Sequence, residues 1–107
     1  MNNNNYQFVY KTFQELSLQE LYDTMALRQE VFVIEQNCPY LDADGRDQKS
    51  DHLLVYAENG DLAAYLRVVY AGVSYAEMSI GRVVTAQKYR RIGLGKTLMT
   101  SALQDIK

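Results

Sequence analysis

At 107 residues the chain has room for one domain with a buried core and none for a second. Apolar residues make up 48% of it, and proline and cysteine each occur once. A low-complexity chain and an intrachain disulfide are therefore excluded, and no run approaches the roughly 18 apolar residues of a membrane span. The net charge of −2 hides an asymmetry, because Met78 to Gln104 carries Arg82, Lys88, Arg90, Arg91 and Lys96 and no acidic residue. A block of that size suits a small polyanion better than duplex DNA, so neither a nucleic acid nor a membrane is expected as partner. With no secretory leader pattern at the N-terminus, a cytoplasmic location is the expectation.

In chain order, Asn2 to Asn5 reads as a disordered tract before a domain over 6–107. Tyr6 to Phe13, rich in aromatic and β-branched residues, predicts a first strand. Ser17 and Glu20 form a capping box, and Leu18, Leu21, Tyr22, Met25 and Ala26 recur at helical spacing, so this stripe is expected to face a sheet. Residues 28–34 carry the helix onward and then lose the period, and Pro39 ends it. Asn37 to Asp51, with four aspartates, predicts an exposed acidic loop. His52 to Glu58, Asn59-Gly60 and Asp61 to Tyr70 read as strand, type I′ turn and strand. Glu77 to Thr85 is a fourth strand in which Gly81 marks a bulge or a close backbone approach. Leu94, Leu98, Ala102 and Ile106 then lie along one helical face.

The turn between that strand and that helix carries the main chemical signal. Two glycines opening a helix expose backbone amides at the positive end of its dipole, which makes an anion site. The phosphate-binding pattern Gly-x-x-x-x-Gly-Lys-Thr fails because position 90 is arginine, and the dinucleotide pattern Gly-x-Gly-x-x-Gly fails at Leu98. Arg90, Gly93 and Gly95 do satisfy Arg/Gln-x-x-Gly-x-Gly/Ala after a fourth strand. On these residues the chain resembles the GCN5-related N-acetyltransferases (GNAT). Arg28 to Tyr40 (RQEVFVIEQNCPY), Asp42-Ala43-Asp44-Gly45, His52-Leu53 and Ile80-Gly81-Arg82-Val83 are similar to its ElaA-like branch.

The resemblance implies an α/β (α+β) fold, a mixed, mostly antiparallel sheet flanked by helices. It also implies acetyl-CoA as co-substrate with no metal. By the same resemblance, Arg90, Arg91, Ile92, Gly93, Leu94, Gly95 and Lys96 would hold the coenzyme pyrophosphate, and Val83 and Val84 would pair with the pantetheine arm. The family's closing strands and helix have no counterpart before Lys107. The expectation is thus a fragment, truncated after the coenzyme-binding helix, with little activity of its own and an open sheet edge suited to homo-dimer formation or exchange of elements.

Acetyl transfer to an amine of a small molecule or peptide needs a polarised carbonyl and a base. A backbone N–H near Gly81 to Val83 fits the first role. For the base, Glu35, His52 and Glu77 are candidates, with Asp47 or Asp51 placed to raise the His52 pKa. Arg28 and Arg82 are candidates for an acceptor carboxylate, or else pair with Glu30 or Glu35. An EF-hand frame on Gly45 fails at its first and twelfth positions, Tyr40 and Asp51, and nothing near Cys38 activates a thiol. The competing function is a non-catalytic module that binds coenzyme A, another anion or a protein.

Overall fold

The computed structural model describes residues 6–90 and 92–105. The Asn2 to Asn5 tract, Arg91 and Ile106 lie outside these. Four strands, β1 (Tyr6–Thr12), β2 (Ser50–Ala57), β3 (Leu62–Val69) and β4 (Ser79–Thr85), form one sheet in the order β1-β2-β3-β4 with every neighbouring pair antiparallel. Helix α1 (Leu18–Arg28) covers one face and α2 (Leu94–Asp105) the other.

The alternation of side chains along β2 and β3 divides the interior into two layers of different character. Leu53, Val55, Ala64, Leu66 and Val68 point to the α2 side, where Leu94, Leu98 and Ala102 close a wholly apolar core. Leu54, Tyr65 and Val84 point to the α1 side and meet Leu27 and Val31. His52 and Arg67, paired across the β2–β3 ladder, share the α1 side, so that layer is apolar at one end and polar at the other. Among the described residues no helix is long and apolar enough to cross a membrane.

The Ser17–Glu20 capping box forms as expected, each side chain bonding the other's backbone amide. The buried face of α1, however, is not the predicted one. Leu18 and Tyr22 are 89% and 72% exposed, and Ala26 is exposed as well. The buried positions are Thr24, Leu27, Arg28 and Val31, which also have helical spacing. Two of the four are polar, so a search for apolar periodicity selects the neighbouring stripe. Where the period fails after Arg28 the chain winds into a π-helical segment, Gln29–Glu35, with five-residue bonds such as Cys38 N–H to Val33 O (3.0 Å).

The acidic loop is not solvated throughout, since Asp42 and Asp47 are buried. The hairpin turn also differs from the expected type I′, which needs positive φ at both central residues. Asn59 is not in that region. Gly60 is (φ 95°), its N–H bonds Ala57 O, and Ala57 N–H bonds Asp61 O. This is a three-residue loop closed by a glycine bulge. Glu77 lies before β4, exposed, in the connection from β3.

Candidate functional site

β4 is paired to β3 alone among the described residues, and the pairing is interrupted. Tyr65 faces Val84 and Arg67 faces Gly81, so Leu66 on β3 stands opposite two residues, Arg82 and Val83. The bulge anticipated around Gly81 therefore falls one residue later. Its strained member is Arg82, at φ 52°, a left-handed conformation that a long side chain rarely adopts. A bulge leaves its extra residue out of the ladder, so the pairing of β4 with β3 is interrupted at Arg82–Val83.

What holds Arg82 there is its side chain. Nε meets Asp42 Oδ1 at 2.8 Å, Nη2 donates to the Asp42 carbonyl at 3.1 Å, and the guanidinium lies 5.7 Å from the Tyr40 ring centre. Asp42 in turn receives Arg28 through Nε (2.8 Å), while Arg28 Nη1 donates to Asp47 (2.7 Å). Arg67 bridges Asp47 (3.0 Å) and Asp44 (2.6 Å). The loop from Asp42 to Asp47 is thus a strap of carboxylates laid over arginines from α1, β3 and β4. The Arg67 hydrogen bonds hold the Asp44 carboxyl well below the usual range, despite partial burial. Burial works against the charge of Arg28, yet Asp47 and the other anions around it keep the guanidinium more firmly protonated than usual. The same arginines occupy the carboxylates that an EF-hand frame would have offered to calcium.

His52 belongs to this layer. A carbonyl oxygen can only accept, so Nε2 carries the proton it donates to Asp47 O (2.9 Å), and Nδ1 accepts from the Tyr65 hydroxyl (2.6 Å). Burial lowers the His52 pKa, helped by Arg28 and Arg67, and outweighs the opposing pull of Asp47. The expected rise through Asp47 or Asp51 is reversed. The Asp47 carboxylate is spent on arginines, and that of Asp51 accepts from Tyr10 and Tyr70.

Beyond β4 the chain makes a short turn, Gln87–Tyr89, and reaches Gly93 at φ 77°, which favours glycine there. Thr97 N–H closes the first helical turn onto Gly93 O (3.2 Å), so the amides of Leu94, Gly95 and Lys96 precede any intrahelical bond. Arg90 folds back, Nε donating to Thr85 O (2.9 Å) and Nη2 pairing with Glu35 (2.9 Å). Lys88 pairs with Asp61 at 3.7 Å, whereas Lys96 is exposed and makes no ion pair among the described residues. The basic block thus divides: Arg82, Lys88 and Arg90 have carboxylate partners, and Lys96 flanks the helix start.

Of the predicted residues, Arg28 and Arg82 converge on Asp42, and neither meets Glu30 or Glu35. Glu35, His52 and Glu77 are held in three separate places: beside Arg90, inside the sheet layer, and in the β3–β4 connection. Sequence reasoning passed over Asp42, Asp44, Asp47 and Arg67 as a unit. The available signal was a charged residue, Arg67, within an otherwise buried apolar strand, which demands partners of opposite sign.

A family model described as the acetyltransferase (GNAT) family matches residues 11–107. The chain belongs to the GNAT acetyltransferase family. Its structure superposes on that of an acyl-CoA N-acyltransferase from Pseudomonas aeruginosa with a TM-score of 0.87 and 42% identity, covering 92% of this chain and 68% of that one. Escherichia coli ElaA superposes with a TM-score of 0.88 and 35% identity, covering 94% and 68%, which supports placement in the ElaA-like branch of the GNAT family. A UPF0039 protein of Synechocystis is 40% identical over 95 residues, 89% of this chain and 62% of that protein. The chain therefore spans under two thirds of the length of that relative. The bulged β4 is this chain's fourth strand, and it leads through the Gly93 turn into α2.

Proposed function

We propose that this protein is an N-acetyltransferase that takes its acetyl group from acetyl-CoA and gives it to an amine of a small molecule or peptide. The observation that carries the reading is the continuous arrangement of an open, bulged β4 leading into a left-handed glycine and the start of a helix whose first amides precede its first intrahelical bond. The residues present suit the coenzyme. A Cβ built on Gly93 would meet no atom within 4 Å, so the turn is open on the side where a phosphate would approach. The amides of Leu94, Gly95 and Lys96 and the Lys96 ammonium are assigned to the pyrophosphate, together with Arg90, Arg91 and Ile92 of the turn. The free backbone edge at Val83 and Val84 is assigned to the pantetheine arm.

Acetyl-CoA, when bound, supplies the thioester whose acetyl carbon the amine attacks. The chain's own contribution is positional and electrostatic. An N–H at the Arg82–Val83 bulge is assigned to the carbonyl oxygen, where a fixed donor stabilises developing negative charge without reorganising. Removal of the amine proton falls to an accessible carboxylate, Glu77 or Glu35, or to water. His52 has both ring nitrogens engaged and acts through its neighbours, by fixing Asp47.

Thermal denaturation with added ligand tests the coenzyme site. Acetyl-CoA at about a hundred times its Kd adds about 2.7 kcal/mol of stability, several degrees for a chain this size, and ATP does not. Melting unchanged by acetyl-CoA would remove the reading, and a shift without turnover on any amine would leave a coenzyme-binding module.

A further inference from the structure

A cavity of about 490 Å³ opens beside the bulge, bounded by the strap loop, the end of β3, the β3–β4 connection and the first half of β4. Its wall includes Gly81 and Arg82, so whatever occupies it lies against the segment assigned to the acetyl carbonyl. Three guanidinium groups, of Arg46, Arg67 and Arg82, line it against a single carboxylate, that of Asp44. Asp44 is already saturated: it accepts from Arg67 at 2.9 and 2.6 Å, from Arg82 and Arg46 at 3.4 Å, and from the Arg46 amide at 3.0 Å. Behind it, Asp42 and Asp47 are tied to Arg28. The cluster as a whole sets four arginines against three aspartates and is left with one positive charge in excess.

The unused donors are found with that charge. Arg82 lies against Asp42 through Nε, donates through Nη2 and, among the described residues, makes no bond through Nη1. The Arg46 side chain is 47% exposed and, among the described residues, is committed only to the one long contact with Asp44. Nε of Arg67 is removed from solvent and has no hydrogen-bond partner among the described residues, in a side chain only 6% exposed. The charge of Arg67 is paired with Asp44 and Asp47, but a buried N–H left without an acceptor is costly unless a ligand or water completes it. The remaining wall mixes Ser74 and Ser79 with apolar and aromatic side chains, among them Ile80 and the exposed ring of Tyr75.

We infer that the acceptor is an amine that also bears a carboxylate, with an apolar or aromatic side chain. This rests on the acetyl-transfer reading above and narrows its substrate class. The carboxylate meets the free donors of Arg82 and Arg46, whose planar forks match it, and the side chain rests on Tyr75 and Ile80. Because Arg82 is itself the bulge residue, amine and carboxylate are separated by only a few bonds, as in a free amino acid or the end of a short peptide. Arg28, buried behind the strap, positions Asp42 and does not touch the acceptor.

Calorimetric titration of the full chain with three probes decides it: L-phenylalanine, 2-phenylethylamine, which lacks only the carboxylate, and glycyl-L-phenylalanine. Phenylalanine is expected to bind about tenfold more tightly than phenylethylamine. That ratio should fall toward one in Arg46→Gln, an exposed position whose variant keeps the parent melting temperature, and in Arg82→Gln. Tighter binding of the dipeptide identifies a peptide end as the natural source, and weaker binding a free amino acid. Equal affinities, no binding by either single amine, or a ratio unchanged in Arg46→Gln overturns the inference. A parallel titration with acetyl-CoA separates the two levels. Coenzyme binding without phenylalanine binding removes the carboxylate acceptor and leaves acetyl transfer standing, and phenylalanine binding without coenzyme binding does the reverse.

Discussion

Arg28 is the largest side chain wholly removed from solvent among the described residues, and its buried charge is compensated by Asp42 and Asp47, which meet it at 2.8 and 2.7 Å. Truncation would break two buried ion pairs and leave Asp42 to Arg82 and Asp47 to Arg67, so Arg28→Ala is expected to cost about 3–5 kcal/mol in chemical denaturation. A loss under about 1 kcal/mol would mean that water compensates the strap and that it is not a closed structure. His52 makes the same layer sensitive to pH. Its folded pKa lies below the ordinary 6.5, so between the two values the unfolded chain binds the extra proton. The stabilisation it provides is complete above about pH 6.5 and is lost as pH falls through the folded pKa. Asp44 behaves alike lower down, its contribution present above about pH 4 and fading with further acid. Since His52 is the only histidine, its ring resonance is unambiguous in a proton NMR titration, and a midpoint at or above 6.5 would contradict the buried neutral ring.

At the scale of elements, the legible features were those whose causes sit within a few residues. The capping box spans Ser17 to Glu20, the β2–β3 hairpin turns at Gly60 although through another turn type, and α2 buries Leu94, Leu98 and Ala102 at the expected spacing. The parts that were not legible depend on partners far along the chain. Arg28 selects the buried face of α1 by reaching Asp42, 14 residues away, and Arg82 is fixed in the bulge by a residue 40 positions earlier. Arg90 is restrained by Glu35 across 55 residues. That last pair yields a prediction at this scale, because a pyrophosphate at the Gly93 turn would compete with Glu35 for the same guanidinium. Glu35→Gln is expected to tighten acetyl-CoA binding by a factor of up to about five, the range of a half-exposed ion pair. Unchanged coenzyme affinity with a large fall in kcat would instead assign Glu35 to proton removal.

Over the whole molecule, the radius of gyration of 13.3 Å is that of a compact chain of about 100 residues, so α1, the strap, the sheet and α2 already close on one another. Two outer sheet edges stay unpaired among the described residues, that of β1 and that of β4, the latter with Val83 42% exposed beside it. An unpaired edge invites a second strand, but the bulge at Arg82–Val83 divides that of β4 into two short regular pieces, which limits what another copy can gain. Self-association through β4 should therefore be weak, rising with concentration in sedimentation equilibrium. It should also be displaced by acetyl-CoA, because the same backbone groups cannot pair with a neighbouring strand and with the pantetheine arm at once. A dimer that persists at saturating acetyl-CoA would have to use another surface, and the outer edge of β1 and the exposed Leu18 and Tyr22 on α1 would be the next places to substitute.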